Sequence, residues 1–317
     1  MSVALNIYYT IYNRFTSMKK TQIDLIEKIK RITLKALISD DYLFETLTLK
    51  GGNALNMIHK LNHRGSRDID FSIEEDFTES FDDVKERIQR TLESTFLEEK
   101  YVVIDFHFDN TPEIVTEDLR DFWGGYEINF KIIDLERYEL YKHDADLLTK
   151  RAIAVSENSS TKIEIDISKF EYVGEKERHE VDGLRVYVYA PIMILFEKVR
   201  AICQQTNEYN SIVKRTRGKQ KGRARDFYDI KSIMDYSLGI DIYSEESQEL
   251  LKKVFEAKRV PIEFIKLIRD YKDLHEENFQ SVQSTISASI KLESFDSYFY
   301  NVVESFEKLL AMISKSS

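Results

Sequence analysis

A chain of 317 residues, 42% of them hydrophobic and 12% aromatic, can bury one large core or two modest ones, which excludes global disorder. Forty-six basic against 56 acidic residues leave a formal charge of −10, so the molecule as a whole repels nucleic acid and anionic membranes, and any RNA contact has to be a local patch. Cys203 is the single cysteine, which excludes an intrachain disulfide and fits a reducing cytoplasm.

The start MSVALNIYY has no positive leader before its apolar residues, and no apolar run approaches membrane-spanning length, so a cytoplasmic protein without membrane contact is expected. Residues 20–38 read as a helix, with Leu25, Ile29, Ile32 and Ala36 at alternating steps of four and three, ended by Asp40 and Asp41. The alternation of Leu47 and Leu49 then opens a strand. It runs into Gly51-Gly52, a helical stretch, a basic turn and a second strand carrying Asp68 and Asp70.

Strand side chains alternate between faces, so Asp68 and Asp70 share one face while Ile69 and Phe71 point into a core. Two adjacent carboxylates repel unless a cation neutralises them, and hard oxygen ligands suit Mg²⁺ or Mn²⁺. A Gly-Gly pair lets backbone approach a phosphate closely at the start of a helix, although the same pair also makes an ordinary tight turn. A calcium loop starting at Asp68 fails, because its sixth position is Ile73 where glycine is needed. Walker-type and dinucleotide-type glycine patterns are absent.

An acidic connector, residues 74–83, leads to an amphipathic helix that reaches about Glu99. YVVIDFHF (101–108) and YEINFKII (126–133) alternate as half-buried strands, and Gly124-Gly125 reads as a turn because a strand follows it. KIEIDIS (162–168) is another strand, with Ile163, Ile165 and Ile167 on one face and Lys162, Glu164 and Asp166 on the other. LRVYVYAP (184–191) closes the predicted sheet, and Pro191 opens a helix whose apolar stripe takes in Ile192, Leu195, Phe196, Val199, Ile202 and Cys203. Cys203 is thereby assigned to the core, with Lys198 and Arg200 off the stripe.

Between Lys214 and Arg225, seven of twelve residues are basic and none is acidic. Lys214, Arg215, Arg217, Lys219, Lys221 and Arg223 can contact an RNA backbone without reading its bases, or can simply keep a loop soluble. A helix restarts at RARDFYDI, and beyond Ile240 the pattern is helical. Leu292, Phe295, Phe299, Val302, Phe306, Leu309 and Ile313 form one long apolar face, and Ile262, Ile265 and Ile268 add to a helical bundle.

KGGNAL followed by RGSRDIDF resembles the signature of the polymerase-beta-type nucleotidyltransferase superfamily and, more closely, of the AbiEii/AbiGii toxin family. EKVRAI (197–202) and RARDFYDI (223–230) continue the resemblance in the same order. The resemblance implies an α/β fold, a mixed sheet with flanking helices over residues 1–190, followed by a helical domain over 191–317. It implies a third carboxylate, for which Asp166 in IDIS is the first choice and Glu164 the alternate. Lys198, Gly51, Gly52 and Ser66 are assigned to the triphosphate of an NTP, and Asp226 to orienting Lys198 or the nucleotide, while Asp229 is assigned to structure.

The activity so implied is metal-dependent transfer of a nucleoside monophosphate to an acceptor hydroxyl, with the tRNA 3′ end as leading acceptor and a protein hydroxyl as the alternative. The biological setting implied is a bacterial toxin, active during abortive phage infection, with an antitoxin encoded beside it. Two other classes stay open: a nucleotide- or RNA-binding module without catalysis, and a scaffold that acts through its C-terminal bundle.

Overall fold

The computed structural model describes residues 23–61, 68–155, 159–214, 220–237, 239–286 and 291–316. Among these, seven strands form one mixed sheet in the order β3-β4-β5-β2-β1-β7-β6, with helices flanking it. The strands are β1 (Thr48–Lys50), β2 (Ile69–Ser72), β3 (Tyr101–Thr111), β4 (Gly125–Asp134), β5 (Ile163–Ser168), β6 (Lys176–Val181) and β7 (Leu184–Tyr189). β1 pairs antiparallel with β2 and parallel with β7, and β6 returns antiparallel along β7.

The chain groups into two compact units that interleave in sequence. The first takes residues up to Phe44, then Phe77–Phe108 and Glu127–Ile165. Helix α1 (23–38) buries Ile29, Ile32, Ala36 and Leu37. Helix α2 (Phe81–Glu98) is capped by Ser80, whose hydroxyl accepts the Asp83 amide at 3.2 Å, satisfying one of the otherwise orphaned first-turn donors. Its Val84, Ile88, Leu92 and Phe96 face inward at helical spacing, and Phe96 meets the edge of Phe130 from β4 at 5.5 Å.

The second unit takes Glu45–Asp76, Asp109–Tyr126 and Asp166–Ser317. Its longer α-helices are α3 (Pro191–Cys203), α4 (Ala224–Tyr236), α5 (Glu245–Glu256) and α6 (Phe295–Ser316). Pro191 stands in the first turn of α3, where its missing N–H costs nothing. That helix is buried on nearly all sides, and Cys203 within it is fully enclosed, which pushes its thiol pKa up and keeps it inert. α3 packs on α4 and α5, and α6 packs on α4. Phe227 of α4 sits 5.6 and 5.3 Å from Phe295 and Phe299 of α6, while Phe196 of α3 meets Phe306 at 6.1 Å.

Several elements lie outside the sequence expectation. Strand β6 and the short helices Asp41–Thr46, Leu135–Tyr141, Ala145–Lys150 and Asn207–Ile212 were not expected, and the helical stretch Ile262–Tyr271 is a 3₁₀ helix. The latter follows from its own spacing, because Ile262, Ile265 and Ile268 step by three, the 3₁₀ repeat. Among the described residues no helix is long and apolar enough to cross a membrane.

Candidate active site

Backbone geometry at the end of β1 sets the floor of a cleft. The antiparallel register puts Lys50 opposite Asp70, and the chain then turns at Gly51 into the short helical run Gly51–Ile58. Gly51 has φ +69°, a conformation that side chains disfavour, and a Cβ built there would lie 2.5 Å from Asp70 Oδ2. Glycine is required twice over: for the turn and for room beside the carboxylate. Asn53, fully buried, donates from its side chain to the Asp68 carbonyl at 2.6 Å and thereby ties the residue before β2 to the glycine turn.

The cleft has a volume of about 1340 Å³ and lies within the second unit. Asp68, Asp70 and Asp166 line it together with Gly51 and Gly52. Asp70 is partly exposed at the floor, and desolvation of its carboxylate pushes its pKa up to about 7, with Asp166, Asp68 and Glu197 adding to the rise and Lys50 opposing it. A carboxylate cluster in this state offers hard oxygen ligands to a divalent cation, whose charge would relieve the repulsion. Glu164 is not among the residues lining the cleft. It lies two residues back on the same face of β5 and pairs with Lys162 at 2.7 Å.

The cleft wall also carries Lys198 and Asp226. Lys198, only 5% exposed, reaches Asp226 Oδ1 and Asp229 Oδ2, each at 2.8 Å. Arg223 holds the other Asp226 oxygen at 3.2 Å. Burial alone would raise the Asp226 pKa, but the Lys198 and Arg223 charges outweigh it and hold the group below the usual carboxylate range. Asp226 and Lys198 therefore form an ionised pair.

Of the basic segment, Lys221, Arg223 and also Arg225 line the cleft, whereas Lys214 pairs with Asp118. Gly222 is pinned by Asn278, which donates to its carbonyl at 2.8 Å. Ser66, Arg215, Arg217 and Lys219 lie outside the described residues.

A second set of charges escaped the sequence reading. Glu171 receives a two-pronged contact from Arg200 at 2.7 and 3.0 Å, and lies 3.8 Å from Lys50 and 3.7 Å from Lys258. Burial disfavours its charge, yet Arg200, Lys258 and Lys50 together hold its pKa far below the usual range. Arg200, placed off the apolar stripe by its sequence position, is only 2% exposed because this pairing neutralises it. Lys50 also donates to Ser168 Oγ at 3.0 Å and lies 3.6 Å from Glu197. Lys50 stands directly before the glycine pair, and Glu197 and Arg200 flank Lys198 in EKVRAI, so their neighbours were a usable signal. Glu171 and Lys258, in segments without periodicity, had none.

Comparison with known proteins assigns the family. The profile of the nucleotidyl transferase AbiEii toxins, type IV toxin–antitoxin systems, matches residues 32–301, and the chain belongs to this family. Membership implies an antitoxin partner. Two Helicobacter pylori crystal structures are similar in outline. One, described as a candidate nucleotidyltransferase, is 15% identical over 92% of this chain and 96% of its own, with a TM-score of 0.44. The other, JHP933, is 16% identical over 93% and 96%, with a TM-score of 0.47. No curated protein matches the chain.

Proposed function

We propose that the cleft transfers a nucleoside monophosphate from an NTP to the 3′-terminal hydroxyl of a transfer RNA. The observation that carries this reading is the convergence of Asp68, Asp70 and Asp166 on one cleft with the Gly51 turn, where side-chain-free backbone stands beside the acids. In the reaction the acceptor oxygen forms a bond to the α-phosphorus, the bond from that phosphorus to the bridging oxygen breaks, and pyrophosphate leaves. Asp166 takes the hydroxyl proton as the oxygen attacks. Gly51 and Gly52, with Ser66, receive the triphosphate through backbone and hydroxyl donors. Lys198 contributes positive charge to the same group, and Asp226 holds its ammonium in place.

Asp68, Asp70 and Asp166 would hold Mg²⁺ or Mn²⁺, for which an all-carboxylate donor set and the raised Asp70 pKa are the fitting features. Bound there, such ions supply charge stabilisation to the attacking and leaving oxygens. Lys221, Arg223 and Arg225 on the cleft wall favour an RNA acceptor over a protein hydroxyl, because they offer cations to a phosphate backbone.

Incubation with labelled NTPs, Mg²⁺ and total RNA, followed by sequencing of RNA ends, tests this reading. Untemplated nucleotides on tRNA 3′ ends should appear with wild type and vanish with Asp70→Asn. Label on protein alone would overturn the acceptor, and binding without any label would overturn catalysis.

A further inference from the structure

A second cluster of ligating side chains lies away from the cleft lining. Among the described residues β6 is an edge strand, hydrogen-bonded within the sheet to β7 alone. Glu177 and His179 are two residues apart on it and so share a face, with Glu177 Oε2 and His179 Nε2 2.8 Å apart. Facing them is His59, at the C-terminal end of the helical run that begins at the glycine pair, its ring 5.2 Å from that of His179 and edge-on to it. One ligand atom from each of the three residues falls within 4.8 Å of the others.

The tautomer of His59 decides what it can offer. Its Nε2 lies 2.8 Å from the Tyr189 carbonyl oxygen, which only accepts, so Nε2 carries the proton and Nδ1 presents a lone pair. A ring nitrogen anchored on a backbone carbonyl is the arrangement by which proteins orient metal-ligating histidines. Glu177 Oε2 and His179 Nε2 meet at hydrogen-bond distance, and a dication can take the place of the proton between them.

We infer that His59, Glu177 and His179 form a binding site for Zn²⁺, with a fourth position left to water. Two imidazoles and one carboxylate match the donor set of zinc, and the nitrogen donors select against Mg²⁺ and Ca²⁺, which the carboxylates of the cleft suit. The site is therefore chemically distinct from the proposed nucleotidyl-transfer centre. Bound metal would cross-link the end of the glycine-led turn to an edge strand otherwise secured by one neighbour.

The full-length protein, stripped of metal and held in excess Mg²⁺, can be titrated with Zn²⁺ against a chromophoric chelator. One equivalent should bind, and His59→Ala or His179→Ala should each weaken it by roughly 100-fold or more. The pair Asp68→Asn with Asp70→Asn should leave the equivalent in place. Co²⁺ in place of Zn²⁺ should give the intense visible bands of a tetrahedral site. His59 is half-buried, so His179→Gln on the exposed strand, checked by circular dichroism, serves as the variant that keeps the fold. Absence of a bound equivalent, binding unchanged in His179→Gln, or loss of the equivalent in the aspartate pair would each overturn the assignment.

Discussion

The cleft is sensitive to a single added atom at Gly51. Its φ of +69° is unfavourable for any side chain, and the space for a methyl is taken by the Asp70 carboxylate at 2.5 Å. Gly51→Ala should therefore push Asp70 out of place, with a loss of about 100-fold in nucleotide incorporation, the scale expected when a reacting group moves by an ångström. Measuring incorporation beside the urea midpoint separates displacement from unfolding, and an active Gly51→Ala would show that the carboxylate does not need its present position. His275 gives the matching prediction for stability. It is 1% exposed, and its Nδ1 accepts the Arg223 amide at 3.1 Å. Burial lowers its pKa to about 4, against the opposing pull of Asp226. The folded pKa is below the unfolded value of about 6.5, so between the two the unfolded chain binds more protons. Stability should fall as pH drops from about 6.5 toward about 4 and level off below, a loss on the order of 3 kcal/mol from this group. Asn at this position can accept the same bond without titrating, so urea unfolding of His275→Asn between pH 7 and 4.5 should show a shallower acid slope than wild type.

At the scale of elements, Glu171 joins the end of β1 through Lys50, α3 through Arg200 and the turn after α5 through Lys258. Three cations around one buried anion make the loss of the anion far worse than the loss of one cation. Glu171→Gln should destabilise by about 3–5 kcal/mol, whereas Lys50→Met, which leaves the Arg200 pairing intact, should cost less than half of that. Urea unfolding of both variants checks the ranking, and equal losses would mean that the charges act independently. This network also marks what sequence could and could not reveal. β5 was readable because Ile163, Ile165 and Ile167 are buried on one face, and that alternation put Asp166 on the other. β6 was not, because KERHEV is an edge strand with no buried residue and hence no apolar pattern to read. Asp68 and Asp70 could be grouped by their spacing alone. Lys50 and Ser168 are 118 positions apart, and no local periodicity announces which distant charges a fold will bring together.

For the whole molecule the governing contrast is between a net charge of −10 and a segment, residues 214–225, with seven basic residues and no acid. Long-range repulsion of RNA by the acidic surface fades beyond about 8 Å at physiological ionic strength, so binding would depend on short-range contacts to this segment. Affinity for RNA should then fall linearly in logarithm with the logarithm of salt concentration, with a slope of roughly 0.7 for each single-strand phosphate neutralised. Lys214 is already paired with Asp118, so Lys214→Gln should change that slope least. Lys221 lines the cleft wall itself, and Lys221→Gln should flatten the slope by about 0.7 if it meets one phosphate. Asp70→Asn removes a negative charge from the cleft without removing any of these cations, so it should abolish incorporation yet leave the salt slope as it is. Filter binding across a salt series gives all of these numbers at once. A slope unchanged by Lys221→Gln would take the basic segment out of RNA recognition and turn the choice of acceptor toward a protein hydroxyl.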